Sequence, residues 1–254
     1  MNKIVNHLPN TPTLGSMPRL ILVGAGPGDP ELITMKAYRV LQKAGVILYD
    51  NLANKELLNF TPPGCEKIYV GKTPYGEYTP QETIHELIRE KTFAKGEVVR
   101  LKGGDPFIFG RGFEEILYAR EQGIEVSYIP GITSMQAAGI EGIPLTHREI
   151  SESIWVVTGT KKDGCLSDDL KLAMRSKATV VIYMGMKKLQ EIADTYYAEG
   201  LGHIPAAIIQ HASLPRQKIA RGLVQDLPAI ASLQQLTHPS IIIIGQVVDI
   251  AGSL

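Results

Sequence analysis

Short apolar runs rich in Val, Ile and Leu alternate with stretches of helical spacing from residue 20 almost to the C-terminus. LILVG (20–24), VILYD (46–50), KIYVG (67–71), the start of EVVRLKGGDP (97–106) and EVSYIPG (125–131) read as strands. Each is nearly all apolar, as expected when helices cover both faces of a sheet. Between the first two, ELITMKAYRVLQKA (31–44) places Leu32, Met35, Ala37, Val40 and Leu41 near one helical face. Further helices are expected near 54–59, 80–94 and 112–122. Strands alternating with helices imply right-handed crossovers, so this part of the α/β chain is expected to form a mostly parallel sheet.

A second series follows GIPLTHR (142–148). IWVVTG (154–159), TVVIYMG (179–185), AAIIQHA (206–212), QKIARG (217–222) and SIIIIG (240–245) read as strands. The 254 residues suit two compact α/β units joined near 131–148 better than one very wide sheet. The expected division is an N-terminal domain over 18–131 and a C-terminal domain over 132–254. Residues 1–17 are expected to be a disordered extension outside the fold.

Composition narrows the function classes. Lys plus Arg and Asp plus Glu are both 26, so the formal net charge is zero. A general polyanion binder draws its affinity from many phosphate contacts, so no nucleic-acid partner is expected. One local basic pocket stays compatible with that balance. Cys65 and Cys165 lie far apart and give neither a disulfide framework nor metal-ligand spacing. The histidines form no ligand motif either, so no metal is expected. A reducing, cytoplasmic compartment is the simple reading of the cysteines. No apolar run approaches membrane-spanning length, and the N-terminal stretch lacks the continuous apolar character of a signal peptide.

In α/β sheets, ligands lie outside the carboxyl ends of strands, and several glycine-rich loops fall there. VGAGPGDPELIT (23–34) approaches a G-x-G-x-x-G fingerprint, but Asp29 replaces the last glycine and Pro27 removes an amide donor. Asp50, at the end of the next strand, stands where a ribose-binding acid would. This loop alone leaves open a nicotinamide-dependent oxidoreductase or a plain turn. RLKGGDPFIFGRG (100–112) is less ordinary. Gly103 and Gly104 let a ligand approach the backbone, Asp105 offers a carboxylate, and Phe107, Ile108 and Phe109 supply apolar surface. Such a concentration of special residues in one loop points to a ligand site. Thr133 and Ser134 in PGITS suit a helix cap or ligand hydrogen bonds. Met184 in YMGM, judged alone, reads as core filler.

Taken in order, VGAGPGDPELIT, LYD, YVGK, VRLKGGDPFIFGRG, PGITS, GIPLTHR and YMGM closely resemble the motifs of the tetrapyrrole methylase family, from about residue 18 to 250. The resemblance implies two α/β domains, the second with a mixed sheet, and a ligand cleft between them. The implied cofactor is S-adenosyl-L-methionine, which leaves as S-adenosyl-L-homocysteine. Pro27 then becomes an expected contact rather than a defect. Gly103, Gly104, Asp105, Ile108, Thr133, Ser134, Met184 and the backbone around Ala212 carry over as the other cofactor contacts. The best match within the family is to its free-standing members acting on uroporphyrinogen III. The implied reaction is two successive C-methylations to precorrin-2, which feeds sirohaem and cobalamin biosynthesis. A homodimer is also implied.

The same resemblance makes Asp50 a proton acceptor and Lys72, in YVGK, a proton donor. Arg111, Glu114 and Arg148 match positions linked to substrate binding, where arginines suit the carboxylates around the tetrapyrrole rim. Without it, Asp50 and Lys72 read as a loop cap and a surface charge. Arg111 and Glu114, three apart on one helix face, read as a surface ion pair. Some positions depart from the family pattern: Asn51 and Thr73 where arginine is common, and Glu77 and Thr160 where histidine is common. These remove positive charge near an anionic substrate, with Lys161, Lys162 or Arg216 as compensating cations. They leave open a methylase of a later corrin-pathway intermediate and a non-catalytic ligand-binding module.

Overall fold

The computed structural model describes residues 17–71 and 79–250. All of the expected N-terminal extension except Met17 lies outside the described residues. The ten strands among these residues form two five-stranded sheets. The first contains β1 (Arg19–Gly24), β2 (Val46–Tyr49), β3 (Glu66–Tyr69), β4 (Glu97–Lys102) and β5 (Glu125–Ile129). Its order is β3-β2-β4-β1-β5, with every pair parallel. Parallel strands bring their carboxyl ends to one edge, so the loops after Gly24, Tyr49, Lys102 and Ile129 open together.

The second sheet contains β6 (Ile154–Thr158), β7 (Thr179–Tyr183), β8 (Pro205–Gln210), β9 (Lys218–Leu223) and β10 (Ser240–Ile244), in the order β6-β7-β10-β8-β9. Only β6 and β7 are parallel; the other three pairs are antiparallel. The α/β class, the parallel first sheet and the mixed second sheet all agree with expectation.

Both sheets are covered on both faces. In the first, Ile21, Val23, Ile47, Val99 and Leu101 face one way and pack with α1 (Met35–Leu41) through Ala37 and Leu41. Leu20, Leu48 and Val98 face the other way, against Ile84 and Ile88 of α2 (Gln81–Lys95) and Ala119 of α3 (Gly112–Glu121). In the second, Val180, Ile182, Ile208 and Ile242 pack with Ile192 and Tyr196 of α4 (Leu189–Ala198). Ala207, Ile209, Ile241 and Ile243 pack with Ala137, Ala138 and Ile143 of the segment connecting the sheets. Each fully buried Ile or Leu contributes about 1.5–3 kcal/mol. Among the described residues, no helix is long and apolar enough to cross a membrane.

The first helix differs from the sequence pattern. Pro30–Leu32 is a 3-10 turn in which the Asp29 carboxylate accepts from the Glu31 amide at 2.8 Å. The chain then extends through Ile33 and Thr34, and the Thr34 hydroxyl accepts from the Ala37 amide at 3.2 Å to start α1. Leu32 therefore lies outside the helix, and Met35 is 64% exposed. Proline at the first position and two local side-chain caps outweigh the apolar periodicity. The short helix expected near 54–59 is likewise 3-10, over Lys55–Phe60.

Candidate active site

The floor of the site is backbone packed on backbone. Beyond β1, the Ala25 amide donates to the Lys102 carbonyl at 2.7 Å. Gly26 and Gly104 exchange amide–carbonyl bonds of 3.2 and 2.7 Å. A Cβ on Gly24 would overlap the Gly131 backbone, and one on Gly131 would overlap the Gly104 carbonyl. Three strand ends thus meet where no side chain fits. In the first loop the amides of Ala25, Gly26 and Asp29 are already spent and Pro27 has none. That is the physical reason it cannot serve as a ring of donors around a pyrophosphate.

The loop after β4 corrects two readings. The Asp105 carboxylate is not free beside exposed amides. One oxygen accepts from the Phe107 amide at 2.8 Å, and the other from the Gly131 amide at 3.0 Å and the Tyr128 hydroxyl at 2.5 Å. Asp105 is a buried clamp joining the ends of β4 and β5. Burial, then the bond to Asp105, pushes the Tyr128 phenol well above its ordinary range. The missing Cβ of Gly103 makes room for Leu52, which a Cβ there would overlap. Gly104, at φ +63°, is different: its Cβ would meet only Thr133 Cα at 3.9 Å and the Ser134 amide nitrogen at 4.0 Å. Its backbone is left as a bare shelf beneath the 133–134 turn.

The second sheet closes the other side. The Asp29 amide donates to the Ser213 hydroxyl at 2.9 Å, and a Cβ on Gly28 would sit 2.6 Å from the Ala212 carbonyl oxygen. Tyr183, at the end of β7, places its hydroxyl 2.6 Å from Thr133 Oγ1 and accepts from the Met135 amide at 3.0 Å. Its ring lies 5.2 Å from that of Phe109. The Thr160 hydroxyl donates to the Met184 carbonyl at 3.0 Å, and the Met184 side chain is exposed. Seven non-glycine residues among those described have positive φ, and Phe109, Arg111, Met184, His211 and Ser213 belong to these converging loops. Left-handed backbone costs about 1–3 kcal/mol per residue and persists where the surroundings enforce it, as at ligand clamps.

The structure therefore gathers Pro27, Gly104, Asp105, Thr133, Ser134, Met184 and Ala212 around one cleft, with Ile108 exposed at its edge. Asp50 lies beside it, where its carboxylate accepts from the Leu52 amide at 3.0 Å and from Arg100 at 3.2 Å. Lys72 lies outside the described residues, as do Thr73 and Glu77. Arg111 caps α3 and donates twice to Glu114, at 2.9 and 2.7 Å. That pair is exposed, and its bonds hold the Glu114 carboxyl below the usual carboxylate range. Arg148 is exposed on the 142–151 segment, and no hydrogen bond or ion pair among the described residues joins it to Arg111 or Glu114.

Sequence reasoning missed a buried ionic group beneath this edge. Glu115 Oε1 receives Lys102 Nζ at 2.8 Å, Gln81 Nε2 at 3.3 Å and Arg100 Nε at 3.4 Å. Arg100 also donates to the Leu101 carbonyl at 2.9 Å. Burial, then Arg100, lowers the Lys102 ammonium from its ordinary value, against the opposing pull of Glu115. The available signal was two cations at alternate positions of an apolar strand, which share one face of the sheet.

The Tetrapyrrole (Corrin/Porphyrin) Methylases family model matches residues 19–228. The siroheme synthase of Chromobacterium violaceum is 42% identical over 235 residues, which cover 92% of this chain and 50% of that protein. The siroheme synthase of Methylobacillus flagellatus is 43% identical with the same coverage. The chain thus spans about half the length of these curated relatives. Among solved structures, the uroporphyrin-III C-methyl transferase from Thermus thermophilus complexed with S-adenyl homocysteine is 38% identical, with a TM-score of 0.79 over 91% of this chain and 99% of that one. A cobalt precorrin-4 methyltransferase is 25% identical, with a TM-score of 0.80 over 91% and 96%. With its parallel-then-mixed sheets and its glycine-floored cleft, this chain belongs to the tetrapyrrole (corrin/porphyrin) methylases.

Proposed function

We propose that this chain binds S-adenosyl-L-methionine in the cleft and methylates uroporphyrinogen III at two carbons, giving precorrin-2 for sirohaem or cobalamin synthesis. The observation that carries the reading is the bare Gly104 shelf, where a Cβ would fill the gap below Thr133 and Ser134. The relative crystallised with S-adenyl homocysteine supports it. Backbone at Gly103, Gly104 and Asp105 grips the cofactor, with the Asp105 carboxylate fixing the turn from behind. Pro27, Ile108, Thr133, Ser134, Met184 and Ala212 complete its surroundings.

When bound, the cofactor supplies a sulfonium methyl group that is already electrophilic. The chain has to align a pyrrole carbon with that methyl and keep water out. Arg111 and Arg148 orient the macrocycle through its carboxylates, and Glu114 contributes to substrate binding by holding the Arg111 guanidinium. Methylation leaves the ring with a proton to lose; Asp50 accepts it and Lys72 serves as donor. The assembly is a homodimer in a reducing, cytoplasmic compartment, a reading supported by the exposed Phe107, Phe113 and Leu117 and by two free cysteines.

The second reading is a methylase of a later corrin intermediate, favoured by the TM-score of 0.80 to the cobalt precorrin-4 enzyme. Anaerobic incubation with uroporphyrinogen III and cofactor, followed by mass spectrometry, separates the two. A product carrying two added methyl groups is expected. Cofactor binding without methylation would favour the later intermediate, and absence of cofactor binding in calorimetry would remove both.

A further inference from the structure

We propose that Gln217 is a positioning residue for the cofactor cleft, coupling the loop after β8 to the 133–134 turn through one side chain. The inference rests on the methylase reading, which seats the cofactor against Pro27, Ala212, Thr133 and Ser134. Beyond β8 the chain turns sharply, with φ of +52° at His211 and +63° at Ser213. Gln217 Oε1 accepts from the Ser213 amide within this turn, and the Ser213 hydroxyl accepts from the Asp29 amide at 2.9 Å. Asn54 Nδ2, in the loop after β2, donates to the Gly28 carbonyl at 2.8 Å. That carbonyl and the Asp29 amide belong to one peptide unit. The first glycine loop is therefore gripped at a single peptide by Asn54 and by the Ser213 that Gln217 holds.

The other end of Gln217 leaves the turn. Its Nε2 donates to Glu141 Oε1, at the end of the 3-10 segment Ser134–Glu141. The first residue of that segment is the Ser134 of the cleft. Arg221 Nη2, on β9, donates to the Glu141 carbonyl and ties the same residue down. Ser213, Gln217 and Glu141 are all half-buried. A backbone amide can only donate and a carboxylate can only accept, so the bridge needs one acceptor and one donor, which a glutamine amide supplies. Holding the turn would need the Ser213 bond alone. The second bond spans 76 residues of chain and joins two segments that border the cleft. Binding geometry is kept by residues whose neighbours lock them in place, and Gln217 locks both segments at once.

Exchanging donor and acceptor tests the bridge. Gln217→Leu removes both bonds, so the Kd for S-adenosyl-L-methionine in calorimetry should rise about tenfold or more. In the full chain without cofactor, the Asp29 and Ser213 amides should exchange with deuterium about tenfold faster or more. Gln217→Glu keeps the acceptor for Ser213 but turns a second carboxylate towards Glu141, and binding weakens again. Adding Glu141→Gln to it rebuilds the bridge with donor and acceptor swapped, and both readouts should return to within about threefold of the parent. That recovery is one a merely structural role would not give, and it keeps the test sound if Gln217→Leu folds poorly. Parent-like affinity in Gln217→Leu would overturn the proposal. So would a double variant as weak as Gln217→Glu alone, or amides whose exchange ignores the substitutions. Exchange that follows the bridge in a chain that binds no S-adenosyl-L-methionine would keep the coupling and reject the methylase reading instead.

Discussion

The two sheets meet at one cleft but bring different material to it. Every buried charged side chain among the described residues, Arg100, Lys102, Asp105 and Glu115, comes from β4, the loop after it or α3. The residues from Ile154 onward bury Thr179 and Gln210 but no charge. What they offer the cleft is shape: the Tyr183 hydroxyl, the Met184 turn and the loop around Ala212. The contrast teaches that one short segment, 100–115, holds both the bare Gly104 shelf and the ionic group behind Asp50, while the second sheet acts as a fitted wall.

Five variants would break or sharpen that contrast. The largest effect is expected from Arg100→Met, which leaves Glu115 buried with one cation fewer and should cost about 3–5 kcal/mol in urea unfolding. Ile208→Val in the second sheet should cost about 0.5–1.5 kcal/mol, and equal losses would erase the difference between the halves. Gly104→Ala forces a side chain into left-handed backbone at about 1–2 kcal/mol. Its methyl group also fills the shelf, so cofactor affinity measured by calorimetry should fall about tenfold or more, equivalent to about 1.4 kcal/mol.

Tyr183→Phe removes the hydroxyl shared by Thr133 and Met135 and should cost about 1–1.5 kcal/mol. A neutral result would mean that the wall is not fastened there. The smallest stability change, under about 0.5 kcal/mol, is expected for Arg111→Ala, since its pair with Glu114 is exposed. Turnover should nevertheless drop while cofactor affinity holds; equal damage to both would put Arg111 in the cofactor site or in folding. The pH dependence has a definite sign. Because Arg111 depresses the Glu114 carboxyl, the pair's small contribution is complete above the ordinary carboxylate range. It disappears as pH falls through the lowered value.

Much of this fold was legible in the pattern of apolar runs. Covered on both faces, inner strands such as β1, β2, β7 and β10 could not avoid runs of Val, Ile and Leu, whereas the edge strands β3 and β9 carry charged residues, and the alternation with helices implied the parallel first sheet. Local caps escaped the same reading: Asp29 and Thr34 divide what periodicity joins into one helix. The cleft was legible because glycine and proline are conspicuous, although their tasks were not. Gly103 serves Leu52, and Asp105 turns inward to Tyr128 and Gly131. The Arg100–Glu115–Lys102 group stayed hidden because charge in a sequence reads as surface. Its burial depends on α3 returning beneath β4, which only the three-dimensional fold reveals.

The crowding of Gly24, Gly104 and Gly131 has a consequence for how such a protein can change. A floor made of main chain admits almost no substitution, since any added carbon at Gly24 or Gly131 strikes its neighbour. The loops around it carry replaceable side chains, Phe109, Thr160 and Met184 among them. Such a chain is free to exchange the molecule it works on by redecorating its edge, while the seat beneath stays fixed.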